Sequence, residues 1–325
     1  MHFLSSALMT VKAPTSVKLA WKECGEGRRD GKVGAMTGPG SPVRMQAAIL
    51  AVIALAMHAF PAAAQPAPVL AYLVRTDSST ILFDVGGNLE SSDPSPLISN
   101  MRRLGVRLPD IDTIVISHNH MDHVGGLSFS LMRTFSLEAR QGDLGSRRVY
   151  VPVPMSYPGI EPVVVQGPMM IAPGVATTGP IGAVIHMGPV AEQALAVHVE
   201  GKGVVLIVGC GHQGVSRLLE RTSELFDVPL HGVIGGLHYP VPRGRSVNSA
   251  GVDLQRWATY GTGSGPTRAD VERDIDLLAA RGLQWVSLSA HDSSDEMIEA
   301  FRARFGARFQ DLRVGAPQVI TGAAP

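Results

Sequence analysis

"IDTIVISHNHMDHVGG", residues 111 to 126, decides how the rest of the chain is read. Its first half, Ile111 to Ile116, is an apolar, β-branched run of the kind a buried strand uses. Its second half crowds three histidines and an aspartate into the six positions 118 to 123. Polar side chains gathered where a buried strand ends are costly unless something satisfies them. A metal ion does so. His118 and His120 are two apart, so an extended segment turns both to the same side. Asp122 keeps that alternation, and His123 falls on the following turn. The spacing can feed two ions side by side, one from the His118–His120 pair and one from Asp122 and His123. Imidazole and carboxylate suit Zn²⁺, Fe or Mn²⁺.

Working outward, residues 69–88, "VLAYLVRTDSSTILFDVGGN", read as two strands joined by a polar turn at Asp77 to Ser79. "PLISNMRRLGV" (96–106) has helical spacing at Leu97, Met101 and Leu104 and stops at Gly105. The order strand, strand, helix, strand, with polar residues at the last strand's C-terminal end, is where α/β sheets place their sites. Downstream, "RRVYVPV", "PVVVQG", "ALAVHVEG" and "GVVLIVGC" predict strands, "VSRLLERTSELF" (215–226) a helix, and "LHGVIGGLH" a further strand. Residues 241–266 read as a long surface loop, and such loops often border a site. Thr267 with Asp270 caps a helix that stops at Gly282, "LQWVSLSAH" is a strand, and Ser293 with Glu296 is expected to cap a last helix.

The chain has 325 residues, 17% charged, with formal net charge zero. No basic stripe with interleaved aromatics exists, so a nucleic-acid partner is not expected. Residues 45–64 place an apolar core after Arg44 and end in Ala62 to Ala64. That order predicts an export signal cleaved before Gln65, and with it a periplasmic location. His58 and Pro61 interrupt the run, which is too short for a stable membrane span. Residues 1–44 have mixed charges and no periodicity, and are expected to be an unstructured extension or the product of an upstream start, with Met36 or Met45 as alternatives. Residues 65–325 then form the single folded domain. Only Cys210 follows the signal, so no intrachain disulfide is available. Nothing in the sequence fixes the oligomeric state.

"HNHMDH" followed by "VGG", with "ILFDVGG" upstream, resembles the metallo-β-lactamase superfamily and its H-x-H-x-D-H motif. The later "GCGHQG" (209–214), "IGGLH" (234–238) and "AHDSSDEMIEAFRARFG" (290–306) are similar to the branch named for a dihydropterin ribofuranosyl-aminobenzene phosphate synthase. The resemblance covers about residues 69–320 and implies an α/β fold, the four-layer αβ/βα sandwich. It implies His118, His120 and His212 at one metal ion, and Asp122, His123 and His291 at a second. Asp84 would orient the histidine loop. Asp122 and His238 are the implied catalytic residues, His238 as proton donor or oxyanion partner. His186 is the replacement ligand if His212 fails. The sequence departs from the superfamily at Gly209-Cys210, where many hydrolases carry Gly-Asp, and at His291-Asp292-Ser293-Ser294, where the branch tends to have His-Cys-Thr-Gly. Cys210 reads as a small buried residue or, less simply, as a thiolate ligand. The usual N-terminal strand before "LAYLV" is expected to be missing.

Two divalent ions, Zn²⁺ first with Mn²⁺ or Fe as alternatives, would supply hydroxide at neutral pH. No G-x-S-x-G elbow or other protein nucleophile exists. The expectation is therefore a metal-dependent hydrolase acting on an ester, lactone or phosphoester-type small molecule. Arg243, Arg245 and Arg256 make an anionic substrate a possibility to test against a simply solvated Arg-rich loop. A non-catalytic metal-dependent binding protein of the cell envelope and a di-iron redox protein are the alternatives.

Overall fold

The computed structural model describes residues 6–12, 70–245, 253–257, 259 and 265–322. The export-signal segment lies outside the described residues. The first half contains β1 (Ser6–Lys12), β2 (Ala71–Arg75), β3 (Thr80–Phe83), α1 (Pro96–Arg103), β4 (Thr113–Val115), α2 (Leu127–Leu131), β5 (Arg148–Val151) and β6 (Val163–Val164). The second contains β7 (Met169–Ala172), β8 (Val175–Thr177), β9 (Ile181–Ile185), β10 (Gly188–Glu192), β11 (Leu195–Val199), β12 (Gly203–Val208), α3 (Val215–Leu225), β13 (Leu230–Gly235) and α4 (Leu254–Trp257). It closes with α5 (Arg268–Ala280), β14 (Trp285–Leu288), α6 (Asp295–Phe305) and β15 (Gln318–Thr321).

One sheet runs β15-β1-β2-β3-β4-β5-β6, the other β14-β13-β12-β11-β8-β7, and β9 and β10 form a separate hairpin. Successive strand residues point to opposite faces, and here both faces are apolar. In β2, Tyr72 and Val74 pack toward the other sheet, while Ala71 and Leu73 join the helix-side core around Leu97 and Met101 of α1. In β12, Val205 and Ile207 meet β2 and β3 residues between the sheets, while Val204, Leu206 and Val208 pack with α3, α5 and α6. Three apolar layers therefore separate helix, sheet, sheet and helix. This is the expected four-layer αβ/βα sandwich. Strands buried on both faces read as continuous hydrophobic runs, as "VVLIV" does.

Several expectations need correction. Ser6–Lys12 lies in the stretch expected to be unstructured, yet it forms β1, parallel to both β2 and β15, with Leu8 opposite Leu73 and Val11 opposite Ile320. The strand expected to be missing beside β2 is therefore present. Its reason is the sheet: β2 and β15 each present backbone groups that need a partner, and a seven-residue strand shows no periodicity when averaged over a long polar segment. Leu104 is not on the buried face of α1; it is the residue that ends the helix and is 36% exposed. The cap of α6 is Ser294, whose hydroxyl accepts from Met297 N–H, one residue later than the expected Ser293. Within 241–266 the described residues include the short helix α4. Among the described residues, no helix is long and apolar enough to cross a membrane.

Candidate metal centre

Parallel strands β3, β4, β12, β13 and β14 all end at one place, and each is followed by polar residues. Asp84 follows β3 and is fully buried. Its Oδ1 accepts from the Ser117 N–H at 2.6 Å, and its Oδ2 accepts from the Ser117 hydroxyl at 2.7 Å. The same Oδ2 lies 2.8 Å from His123 Nδ1. That bond places a proton on Nδ1 and turns Nε2 inward. Ser117 Oγ also sits 2.9 Å from His118 Nδ1. Asp84 adopts φ 64°, a left-handed conformation rare outside glycine but tolerated by Asp. Strain of this kind costs about 1–3 kcal/mol and persists where surrounding contacts impose it.

The ligand-type side chains then meet. The rings of His118 and His120 lie 4.5 Å apart, and His212 lies 4.9 Å and 4.8 Å from them. On the other side, His291 Nε2 is 2.7 Å from Asp122 Oδ2. His123 Nε2 is 3.0 Å from Cys210 Sγ. Asp122, His123, Cys210 and His291 offer ligand atoms all within 4.8 Å of one another, and so do His118, Cys210 and His212. A third such group is Cys210, His238 and Asp292. Cys210 thus stands between the two histidine sets, in contact with ligand atoms as well as filling space.

Electrostatics fit this arrangement. Burial holds His118 and His212 well below the ordinary imidazole value and lowers His120 to about 4, so these rings are neutral and able to donate a lone pair. Burial acts the same way on His123, but Asp84 and Asp122 outweigh it and push its pKa to about 9, so Nε2 also holds a proton that a metal ion would displace on binding. Burial would raise Asp122, yet His123 and His291 pull it well below the usual carboxylate range. Both ring nitrogens of His212, and Nδ1 of His291 and His238, are buried with no hydrogen-bond partner. Orphaned buried nitrogens are costly, and metal ions would satisfy those that face the cluster. The donor set, imidazole with carboxylate and thiol, suits Zn²⁺.

His238 also has a left-handed backbone, φ 56°, and its ring lies 4.6 Å from that of His212. Its Nε2 is 2.9 Å from the Gln255 carbonyl oxygen, which can only accept. The proton is therefore on Nε2, and Nδ1 carries a lone pair. Burial lowers the ring's pKa to about 4. A proton-donating role expected for His238 is not what this geometry offers: the free nitrogen accepts. The loop containing α4 forms the wall here, since Gln255 also bonds His291 O through its side chain. Arg245 donates to Ser293 O and Asp295, and Arg256 to Pro240 O and Pro242 O. Those two guanidiniums serve the loop's own structure. Arg243 is exposed.

His186 lies exposed in the β9–β10 turn, and His198 and His231 sit half-buried in β11 and β13. None belongs to the ligand groups found among the described residues. Sequence reading passed over Glu192 and Asp292. Both are buried carboxylates at the cluster, raised by burial to about 7. Asp292 Oδ2 accepts from the His238 N–H at 3.0 Å. The available signal for Glu192 was a Glu-Gln pair inside the apolar run "VAEQALAV".

A buried histidine–carboxylate–thiol cluster at the strand ends of a two-sheet α/β sandwich defines a metal-binding protein. Residues 64–220 match the model of the Metallo-beta-lactamase superfamily, a span that includes His118 to His212. The matched span, just under half of the chain, is similar to that superfamily. It is 26% identical over 212 residues to 7,8-dihydropterin-6-methyl-4-(beta-D-ribofuranosyl)-aminobenzene-5'-phosphate synthase of Methanocaldococcus jannaschii, covering 52% of this chain and 70% of that one. It is 29% identical over 165 residues to a metal-dependent hydrolase of Anaeromyxobacter sp. (strain K), covering 48% of this chain and 56% of that relative's length. A solved structure of a metal-dependent hydrolase of the beta-lactamase superfamily aligns with a TM-score of 0.49 at 19% identity, over 74% of this chain and 91% of that one.

Proposed function

We propose that the chain is a metal-dependent hydrolase that holds two divalent ions, Zn²⁺ first. His118, His120 and His212 would hold one, and Asp122, His123 and His291 the other, with Cys210 between them. The observation that carries this is the convergence of these side chains from both sheets, with imidazole nitrogens buried and unpartnered on His212 and His291. The ions would supply hydroxide at neutral pH and polarise a scissile carbonyl or phosphoryl group.

The chain's own residues do the rest. Asp84 fixes the His123 tautomer, and Ser117 fixes His118. His238, with its lone pair at Nδ1, is suited to accept a proton or to bind a ligand's donor group. The substrate class is a small ester, lactone or phosphoester. The test is turnover of one representative of each class by metal-free and Zn²⁺-loaded protein. Hydrolysis that needs the metal and disappears in Asp122→Ala supports the proposal. Metal binding without turnover of any of the three classes would refute it.

Export to the periplasm is part of this reading and rests on residues 45–64. Cleavage before Gln65 would remove β1 from between β2 and β15. N-terminal sequencing of the cell-fractionated protein tests it: a periplasmic chain beginning at Gln65 supports export, and a cytosolic chain retaining Ser6 refutes it.

A further inference from the structure

We infer that the adjacent pair Glu192 and Gln193 positions the two ligand loops against each other, acting as a staple between the end of β4 and the end of β12. The inference rests on reading the cluster as a metal centre, and assigns roles to two residues outside the candidate ligand groups.

Glu192 ends β10 and is fully buried. Its Oε1 accepts from the N–H of Cys210 at 2.9 Å and of Gly211 at 2.8 Å. Its Oε2 accepts from the His212 N–H at 2.8 Å. One carboxylate therefore gathers three consecutive N–H groups of the loop that carries Cys210 and His212. Three bonds to one buried carboxyl group fix the backbone of Cys210, Gly211 and His212 relative to β10. Gln193 turns the other way. Its N–H donates to Ser117 O at 3.0 Å, and its Nε2 donates to Ile116 O at 2.8 Å. Its Oε1 accepts from the Thr177 hydroxyl at 2.6 Å, which fixes the amide orientation. Ile116 and Ser117 lead directly into His118. The two sheets share no strand, so this dipeptide is a polar tie between the loops they contribute.

The seat is closed as well as bonded. A Cβ added at Gly209 would run into the Ser117 side chain and lie 3.1 Å from Glu192 Oε1. The two strand ends and the carboxylate thus meet with no spare room.

The experiment uses the full chain loaded with Co²⁺, comparing native protein, Glu192→Gln and Gln193→Met. An amide at 192 keeps one acceptor oxygen but turns an N–H₂ group toward one of the loop N–H donors. Methionine at 193 keeps length and leaves Ile116 O without its donor. Changes to residues that orient metal ligands typically cost about 10–100-fold in affinity. The expected result is a loss of that size in Co²⁺ affinity for each variant, with an altered visible spectrum, while the metal-free proteins still melt cooperatively. Glu192→Gln should weaken the ion nearest His212 first. Native affinity and spectrum in both variants, with only the melting temperature lowered, would overturn the inference. If Glu192→Gln does not fold, Gln193→Met decides it alone by the same readouts. Failure of the native chain to bind Co²⁺ would instead overturn the metal-centre reading, and the staple with it.

Discussion

Asp84→Asn changes one atom and should change which nitrogen of His123 can bind a metal. The amide is close to isosteric, and its oxygen can keep the Ser117 N–H bond held at 2.6 Å. Its N–H₂ group then faces the Ser117 hydroxyl and His123 Nδ1, which Asp84 Oδ2 meets at 2.7 Å and 2.8 Å. Both are donors in the native protein. To accept a bond, His123 must move its proton to Nε2, the nitrogen that lies 3.0 Å from Cys210 Sγ. The lone pair offered to the metal disappears. A hydrogen bond to a charged group is worth about 1.5–3 kcal/mol, and about 1.4 kcal/mol is tenfold in an equilibrium constant. The expected loss is therefore about 10–100-fold in affinity for the ion at Asp122, His123 and His291. Titration against a competing chelator measures it, with thermal melting of the metal-free protein as the control. Affinity within about threefold of native would show that Asp84 does not set the tautomer.

Gly209→Ala should abolish tight metal binding and lower the melting temperature, because its methyl group overlaps the Ser117 side chain. Overpacking of this sort costs about 1–3 kcal/mol, and native calorimetric metal binding would contradict it. Asp274→Asn tests a buried carboxyl away from the centre. Burial raises Asp274 above its ordinary value, although its Oδ2 accepts from the Tyr239 hydroxyl at 2.9 Å. A raised native pKa means that the stability Asp274 contributes is fully present below its unfolded value and is lost as pH rises through the native one. The asparagine has no proton to lose. Its melting temperature relative to native should therefore climb as pH rises above the unfolded carboxyl value of about 3.9, and a pH-independent difference would refute the burial argument.

The fold was legible because "IDTIVISHNHMDHVGG" joins a doubly buried strand to a ligand cluster in one stretch. Strands such as "GVVLIVGC" are apolar on both faces, so they stand out in sequence, and the sheet then carries their C-terminal ends to one place. The histidines were legible for the same reason: chemistry that needs several imidazoles is visible in residue type. Glu192, Gln193 and Asp292 were less visible because their work is to hold backbone N–H and C=O groups, and no spacing rule marks which carbonyl a distant amide will meet. His238 was found by residue type, but its role depends on the Gln255 carbonyl across the loop, which only the fold supplies. β1 was missed because its pairing with β2 and β15 is a property of the sheet and not of its own seven residues.

The most direct test of the metal centre is elemental analysis of the metal-loaded full chain beside His212→Ala and His291→Ala. Two equivalents of divalent metal per native chain are expected, falling to one in each variant, with the remaining ion displaced differently by chelator in the two. A native chain that holds no metal, or two equivalents left intact by both substitutions, would contradict the assignment of these histidines as ligands.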